Sequence, residues 1–501
     1  MYKWNNALAL LIRISITLSL LVWQYYLWSQ NSWSVRFEDI GTFSSPRCTD
    51  LNADGVKDII LGAGREEFEA SDSAIIALDG RDGHLLWKVS GRDQIFGSAT
   101  LLDINGDQID DIIIGGRSAE LKAINGSDGK LLWEFFKSRS TEAPRKVGWY
   151  NFYNAQLIPD ANGDGIRDII VSNGGDVKAE PYDPRRPAGH LMVLDSKTGK
   201  VLAKADMPDD KEIYMSVICF KATPASPYKI IFGTGGETIG GNLFVADLDD
   251  LLANDLSGAH KLASSPDKGF IAPPVAVDLN NDDILDVVVM GVDGNIYAYN
   301  GSDFDLIWQT AIDGCEAYSS LTVGQFTDDA IPDLFVSIAA GIWPKLEWNR
   351  QFMLDGKDGK IQFKDSLGFY QTSTAVAFDI NGDHRDEILL SINYQVQNQI
   401  FQKFFYNMLG IIDFEKGEMV QYNNQTFEGS NISSTPYIGD LDGDGFLDII
   451  YLHASSLRHT YTFDGMEVHR IATDYPVRDD VLWGAYMGST YNGIYTMKRK
   501  M

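Results

Sequence analysis

The sequence predicts an all-β chain folded as a single β-propeller of eight blades, with seven as the alternative count. Two observations predict it. A nine-residue Asp/Asn loop recurs along the 501 residues, and a β-hairpin turning on Asp-Gly, Asn-Gly or a related pair follows each loop. The loop starts lie 47 to 61 residues apart, the period expected when each blade holds four short strands.

The first loop reads Asp-Leu-Asn-Ala-Asp-Gly-Val-Lys-Asp from Asp50, and related runs start at Asp103, Asp160, Asp278, Asp379 and Asp440. A decayed copy starts at Gln325. The run from Lys229 (Lys-Ile-Ile-Phe-Gly) matches that from Asp58 (Asp-Ile-Ile-Leu-Gly), which places an erased copy at Lys221. The hairpins occupy residues 75–87, 121–133, 191–203, 296–308, 352–363 and 409–421, with weaker copies at 243–249 and 460–468. Such turns need residues that tolerate positive φ.

Calcium takes six to eight oxygens at about 2.3–2.6 Å. Side-chain oxygens at loop positions 1, 3, 5 and 9, with the backbone carbonyl at 7, supply that set. The first loop offers Asp50, Asn52, Asp54, the carbonyl of Val56, and Asp58. The second offers Asp103, Asn105, Asp107, Ile109 and Asp111; the third, Asp160, Asn162, Asp164, Ile166 and Asp168. Asp278, Asn280, Asp282, Ile284 and Asp286 form the next, then Asp379, Asn381, Asp383, Arg385 and Glu387. The last is Asp440, Asp442, Asp444, Phe446 and Asp448. Position 12 lacks the Glu of an EF-hand, and Ile59, Ile60 and Leu61 continue as strand rather than helix. About six calcium ions are expected, each clamping one blade and adding to folding stability. No nucleophile or base stands with the loops, so no catalytic residue is assigned.

The Asp-x-Asn/Asp-x-Asp-Gly-x-x-Asp loops resemble the FG-GAP calcium repeats of integrin α-subunit propellers and their bacterial relatives. The hairpins, as in residues 75–87 with Trp87, resemble those of quinoprotein-type eight-bladed propellers. Together the resemblance spans about residues 35–475. It implies a binding, adhesion or scaffold module. The alternative is an enzyme on the same architecture, a polysaccharide lyase or a quinoprotein-like dehydrogenase. The adjacent cysteine pair typical of quinoproteins is absent, and Arg185, Arg186 and His190 are the candidate lyase bases.

A formal charge of −28 argues against nucleic acid as a partner. Cys48, Cys219 and Cys315 are scattered and odd in number, which suits structural thiols better than zinc or dithiol chemistry. Residues 7–28 are predominantly apolar with Arg13 as their one charge and follow Lys3, as in a signal peptide or membrane anchor. The expected division is 1–32 as leader or anchor and 33–501 as propeller, the latter outside the cytoplasm.

If the loops join strands one and two, they share a face with the hairpins, and the opposite face is left for a ligand. The longest connections on that face are 64–73, 173–190, 340–350 and 393–407. Seven residues before each loop stand Phe43, Phe96, Tyr153, Tyr214, Ile271, Tyr318, Thr372 and Ser433. They are expected to ring the channel mouth. Tyr318, Trp343, Trp348 and Arg185 are expected to converge there on a glycan or protein ligand, with Glu212, Glu237 and Glu316 as polar contacts.

Overall fold

The computed structural model describes residues 31–137, 143–460 and 463–497. They form eight sheets, one per blade, whose blade strands pair antiparallel. Blade 1 sets the scheme. Arg47–Thr49 lines the channel, Asp58–Gly62 and Ser71–Leu78 fill the middle, and Leu85–Gly91 forms the outer edge. Asp58–Gly62 is buried throughout because neighbouring blades cover both faces of its sheet. Leu85–Gly91 alternates between buried and exposed, as an outer strand does.

The hairpin tryptophans explain how one blade locks to the next. Trp87 Nε1 donates to the Gly126 carbonyl of blade 2 at 2.7 Å, Trp133 to that of Ser196, and Trp308 to that of Gly356. Each indole lies on a turn glycine of the following hairpin. A Cβ added to Gly129, Gly199 or Gly359 would come within 2.7 Å of the Trp87, Trp133 or Trp308 ring. These glycines hold φ of 69–71°, so the turn conformation and the docking surface require the same residue.

Blade 8 departs from the expected hairpin at 460–468. Asp464 precedes the third strand, Gly465–Pro476, and the outer partner of that strand is Trp33–Glu38. The pairing runs from Trp33 opposite Arg470 to Glu38 opposite Gly465 and closes the ring. Trp33 donates to the Gly80 carbonyl at 2.9 Å and packs on Gly83, so it supplies the tryptophan missing from blade 8. The expected N-terminal helix over residues 7–28 lies outside the described residues. Among the described residues, no helix is long and apolar enough to cross a membrane.

The connections of blades 6 and 7 are extended strands rather than irregular loops. Asp333–Ile342 pairs with Lys345–Leu354, and Glu387–Gln397 with Lys403–Asp413. Both hairpins project from the ligand face. The chain after blade 8 turns back into the channel and leaves a cavity of about 830 Å³ between itself and the inner strands of blades 1 to 4. Ala377 N–H donates to the Trp483 carbonyl at 3.0 Å, Ile438 to Gly484 at 2.7 Å and Ala276 to Gly493 at 2.8 Å. Ile494–Tyr495 then runs parallel to Val275–Val277 of blade 5. The buried Arg47 guanidinium donates to the Tyr486 carbonyl at 2.9 Å and lies 4.0 Å from the centre of the Tyr491 ring.

Candidate functional site

The six Asp-led loops join strands one and two and share one backbone scheme. The position-1 carboxylate accepts two or more loop N–H groups, as Asp103 does from Gly106 at 2.6 Å and Gln108 at 2.9 Å. Asp50, Asp160, Asp278, Asp379 and Asp440 repeat this. Position 3 accepts from the N–H of position 5, and position 5 from that of position 7. The closing carboxylate receives the N–H of position 2: Asp58 from Leu51, Asp111 from Ile104, Asp168 from Ala161, Asp286 from Leu279, Glu387 from Ile380 and Asp448 from Leu441. Asp58, Asp111 and Asp286 also accept from the hairpin glycines Gly80, Gly126 and Gly301, which places loops and hairpins on one face. Burial pushes Asp58, Asp286 and Asp448 up to about 6 and Glu387 up to about 7, and nearby carboxylates add to the rise in each.

Two copies depart from the pattern, and a third adds an arginine to it. In the Gln325 loop, the Gln325 amide donates to the carbonyls of Thr327, Asp329 and Ile331. In the erased loop, Lys229 stands where Asp58 does in blade 1 and pairs with Asp247 at 2.8 Å. The Asp440 loop keeps all its carboxylates, and those of Asp440, Asp442 and Asp444 lie close enough to share an ion. Yet the buried Arg470 binds Asp448 at both oxygens at 3.0 Å and Asp442 at 2.6 Å.

On the opposite face a cavity of about 150 Å³ is ringed by Phe43, Phe96, Tyr153, Tyr214, Ile271, Tyr318, Thr372 and Ser433, with Tyr486 of the channel segment also lining it. Beside it a cavity of about 470 Å³ lies among the connections of blades 1, 2, 3, 4 and 6. Its aromatic walls are Phe96, Tyr153, Tyr214 and Trp343. Tyr182 of the blade 3 connection approaches Trp343, with ring centres 6.2 Å apart.

Charges around this cavity are almost fully matched. Arg186 pairs with the buried Glu212 at 3.3 Å, and Tyr214 OH donates to the same carboxylate at 3.1 Å. Arg117 pairs with Glu67 and lies over the Phe96 ring. Lys268 pairs with the buried Glu316 at 2.6 Å. Glu316 also accepts from Tyr318 OH at 2.5 Å and from the Trp343 N–H at 3.0 Å, so one carboxylate holds the channel rim and the blade 6 turn together. Glu237 lines the cavity, and its carboxylate has neither a hydrogen bond nor an ion pair among the described residues. Burial, with Glu316 adding, raises it above the ordinary carboxylate range.

Of the four residues expected to converge, Tyr318 and Trp343 meet through Glu316. Arg185 points to solvent and pairs with Asp183, while its neighbour Arg186 faces the cavity. The adjacent arginines diverge because Asp183 holds the first and Glu212 the second. Trp348 is 44% exposed, sits within the strand Lys345–Leu354 and bridges to Phe369 away from the cavity. His190 binds Asp206 at 2.7 Å at the start of a blade 3 strand. The three cysteines are buried and form no disulfide, with burial pushing Cys219 up to about 12.

Comparison with known proteins agrees with this architecture. Residues 48–145 match the family model described as outer membrane protein assembly factor BamB. Human Protein FAM234B is 21% identical over 409 residues, covering 73% of this chain. The chain spans 58% of that protein's length. The crystal structure of quinohemoprotein alcohol dehydrogenase from Comamonas testosteroni is 10% identical, with a TM-score of 0.56 over 91% of this chain and 78% of that one. A europium-containing methanol dehydrogenase gives 0.57 at 10% identity, over 87% of this chain and 92% of its own. The chain is thus an eight-bladed propeller of quinoprotein-like architecture whose first two blades match the BamB repeat.

Proposed function

We propose that this chain is an extracytoplasmic recognition or scaffold propeller, stabilised by calcium on one face and binding a protein partner on the other. The observation that carries the binding reading is the larger cavity. Three cations around it are each matched by a carboxylate, and Glu237 is left over among four aromatic side chains. A carboxylate beside ring faces suits an ammonium or guanidinium group. The ligand is therefore a lysine or arginine side chain of a partner protein. The formal charge of −28 favours approach of such a basic partner.

The first described residues also give an orientation. Asn31 donates to Asp442 at 3.2 Å and Trp33 to Gly80, both on the loop face. If residues 7–28 anchor the protein, the loop face lies toward the bilayer and the cavity faces away.

A peptide array probed with the calcium-loaded protein tests the reading. One lysine or arginine should dominate binding. Trp343→Ala should weaken it by about 2 kcal/mol, roughly thirty-fold, without loss of fold, and Glu237→Gln should erase the preference for a cation. Sugar binding lost in Trp343→Ala, with no peptide bound, would place a glycan in the cavity instead.

A further inference from the structure

Blade 8 holds a second cluster that none of the loops or the ligand face uses. Its two middle strands pair His453 with Glu467 and Tyr451 with His469. The side-chain period of two along each strand places all four residues on one face of the sheet. The His453 and His469 rings are nearly parallel, 12° apart, and their Nε2 atoms lie 3.0 Å from each other. Glu467 Oε2 is 3.9 Å from the first Nε2 and 3.6 Å from the second. Phe427 covers both rings, with centroid distances of 5.1 and 4.8 Å.

We propose that His453, His469 and Glu467 form a zinc-binding site within the blade that closes the ring. Zinc bonds of about 2.0–2.2 Å to nitrogen and oxygen, arranged tetrahedrally, set neighbouring ligand atoms roughly 3.3–3.5 Å apart. The three separations bracket that value, so shifts of about half an ångström let the atoms converge on one ion. Nitrogen donors select zinc over calcium or magnesium, which take oxygen sets. His453 Nδ1 lies 3.2 Å from the Ala454 carbonyl; donation there leaves the lone pair on Nε2, the tautomer a metal needs.

The surroundings suit a bound cation. The other oxygen of Glu467 lies 3.5 Å from the Arg36 guanidinium on the closing strand, a contact that would orient the carboxylate from outside the ligand set. Glu467 is 30% exposed while both histidines are buried, so the fourth position opens toward solvent. Ligands from two paired strands are held rigidly. The same carboxylate reaches Arg36 on Trp33–Glu38, so the ion would tie the closing strand to the two strands behind it.

The full chain, freed of transition metals and kept in calcium so that the loops are saturated, should be titrated with Zn²⁺ by calorimetry and with Co²⁺ by visible absorption. One Zn²⁺ per chain and the intense bands of four-coordinate Co²⁺ are expected. His469→Gln should abolish both, and Glu467→Gln should weaken Zn²⁺ ten- to hundredfold. Glu467 is partly exposed, so its variant decides the matter if His469→Gln does not fold. No zinc uptake, or equal uptake by wild type and Glu467→Gln, would mean that the imidazoles only share a proton, and would overturn the proposal.

Discussion

Stripping divalent cations from this propeller is expected to lower its melting temperature far beyond scan error, with calcium restoring it and magnesium restoring little. In each intact loop three or four acidic side chains lie within nine residues, their amide-facing oxygens already spent on the loop's own N–H groups. The closing carboxylates are buried and raised. That charge is unfavourable without a cation. The decayed copy fills its centre with the Gln325 amide, and the Asp440 loop engages Arg470. Among the described residues, the loops led by Asp50, Asp103, Asp160 and Asp379 have no buried cation of this kind.

Each site filled at a hundredfold excess over its Kd contributes about 2.7 kcal/mol. Magnesium holds its waters and wants a smaller octahedral shell, so it fits these loops poorly. Metal analysis after dialysis should find about five calcium ions per chain, one fewer than the loop motif alone suggests, because Arg470 already serves the Asp440 loop. Two or fewer would overturn the loop reading.

What was legible in the sequence was local and repeated. The loops and hairpins fixed the blades because each motif is contiguous, and the positions seven residues before each loop do ring the channel mouth. Blade 8 was misread because its outer strand comes from residues more than 400 positions away, and no local pattern encodes such pairing. A signal did exist: Trp33 does for blade 1 what Trp87 does for blade 2. Most of the blade 6 connection, residues 340–350, is paired strand, because Trp343 and Pro344 alone make the turn between two long strands. Arg185 and Arg186 cannot be told apart by composition, since only Asp183 and Glu212 sort them. His453 and His469 lie 16 residues apart, and only the strand register brings them together.

The chain after blade 8 carries the other large expected effect. Trp483 is 1% exposed, and its carbonyl accepts from Ala377 on the inner strand of blade 7. Its ring centre lies 6.2 Å from that of Tyr495, and Gly488 closes over it so nearly that a Cβ there would meet the indole at 3.0 Å. The side chain belongs to the core cluster shared by blades 5, 6 and 7, with Val323 and Ala377 among its members. Residues 484–493 of the same segment reach blades 8, 1, 3 and 5, so this one indole anchors a strut that touches most of the ring. Truncating a buried tryptophan costs about 3–5 kcal/mol, from lost burial plus the cavity left behind. Trp483→Ala should therefore lower the denaturation midpoint by that amount, and Trp483→Phe should keep most of the stability. Protease should cut within residues 477–497 of the alanine variant under conditions that leave the wild type intact. A loss below about 1 kcal/mol, with the segment still protected, would show that the channel holds its strut without the indole.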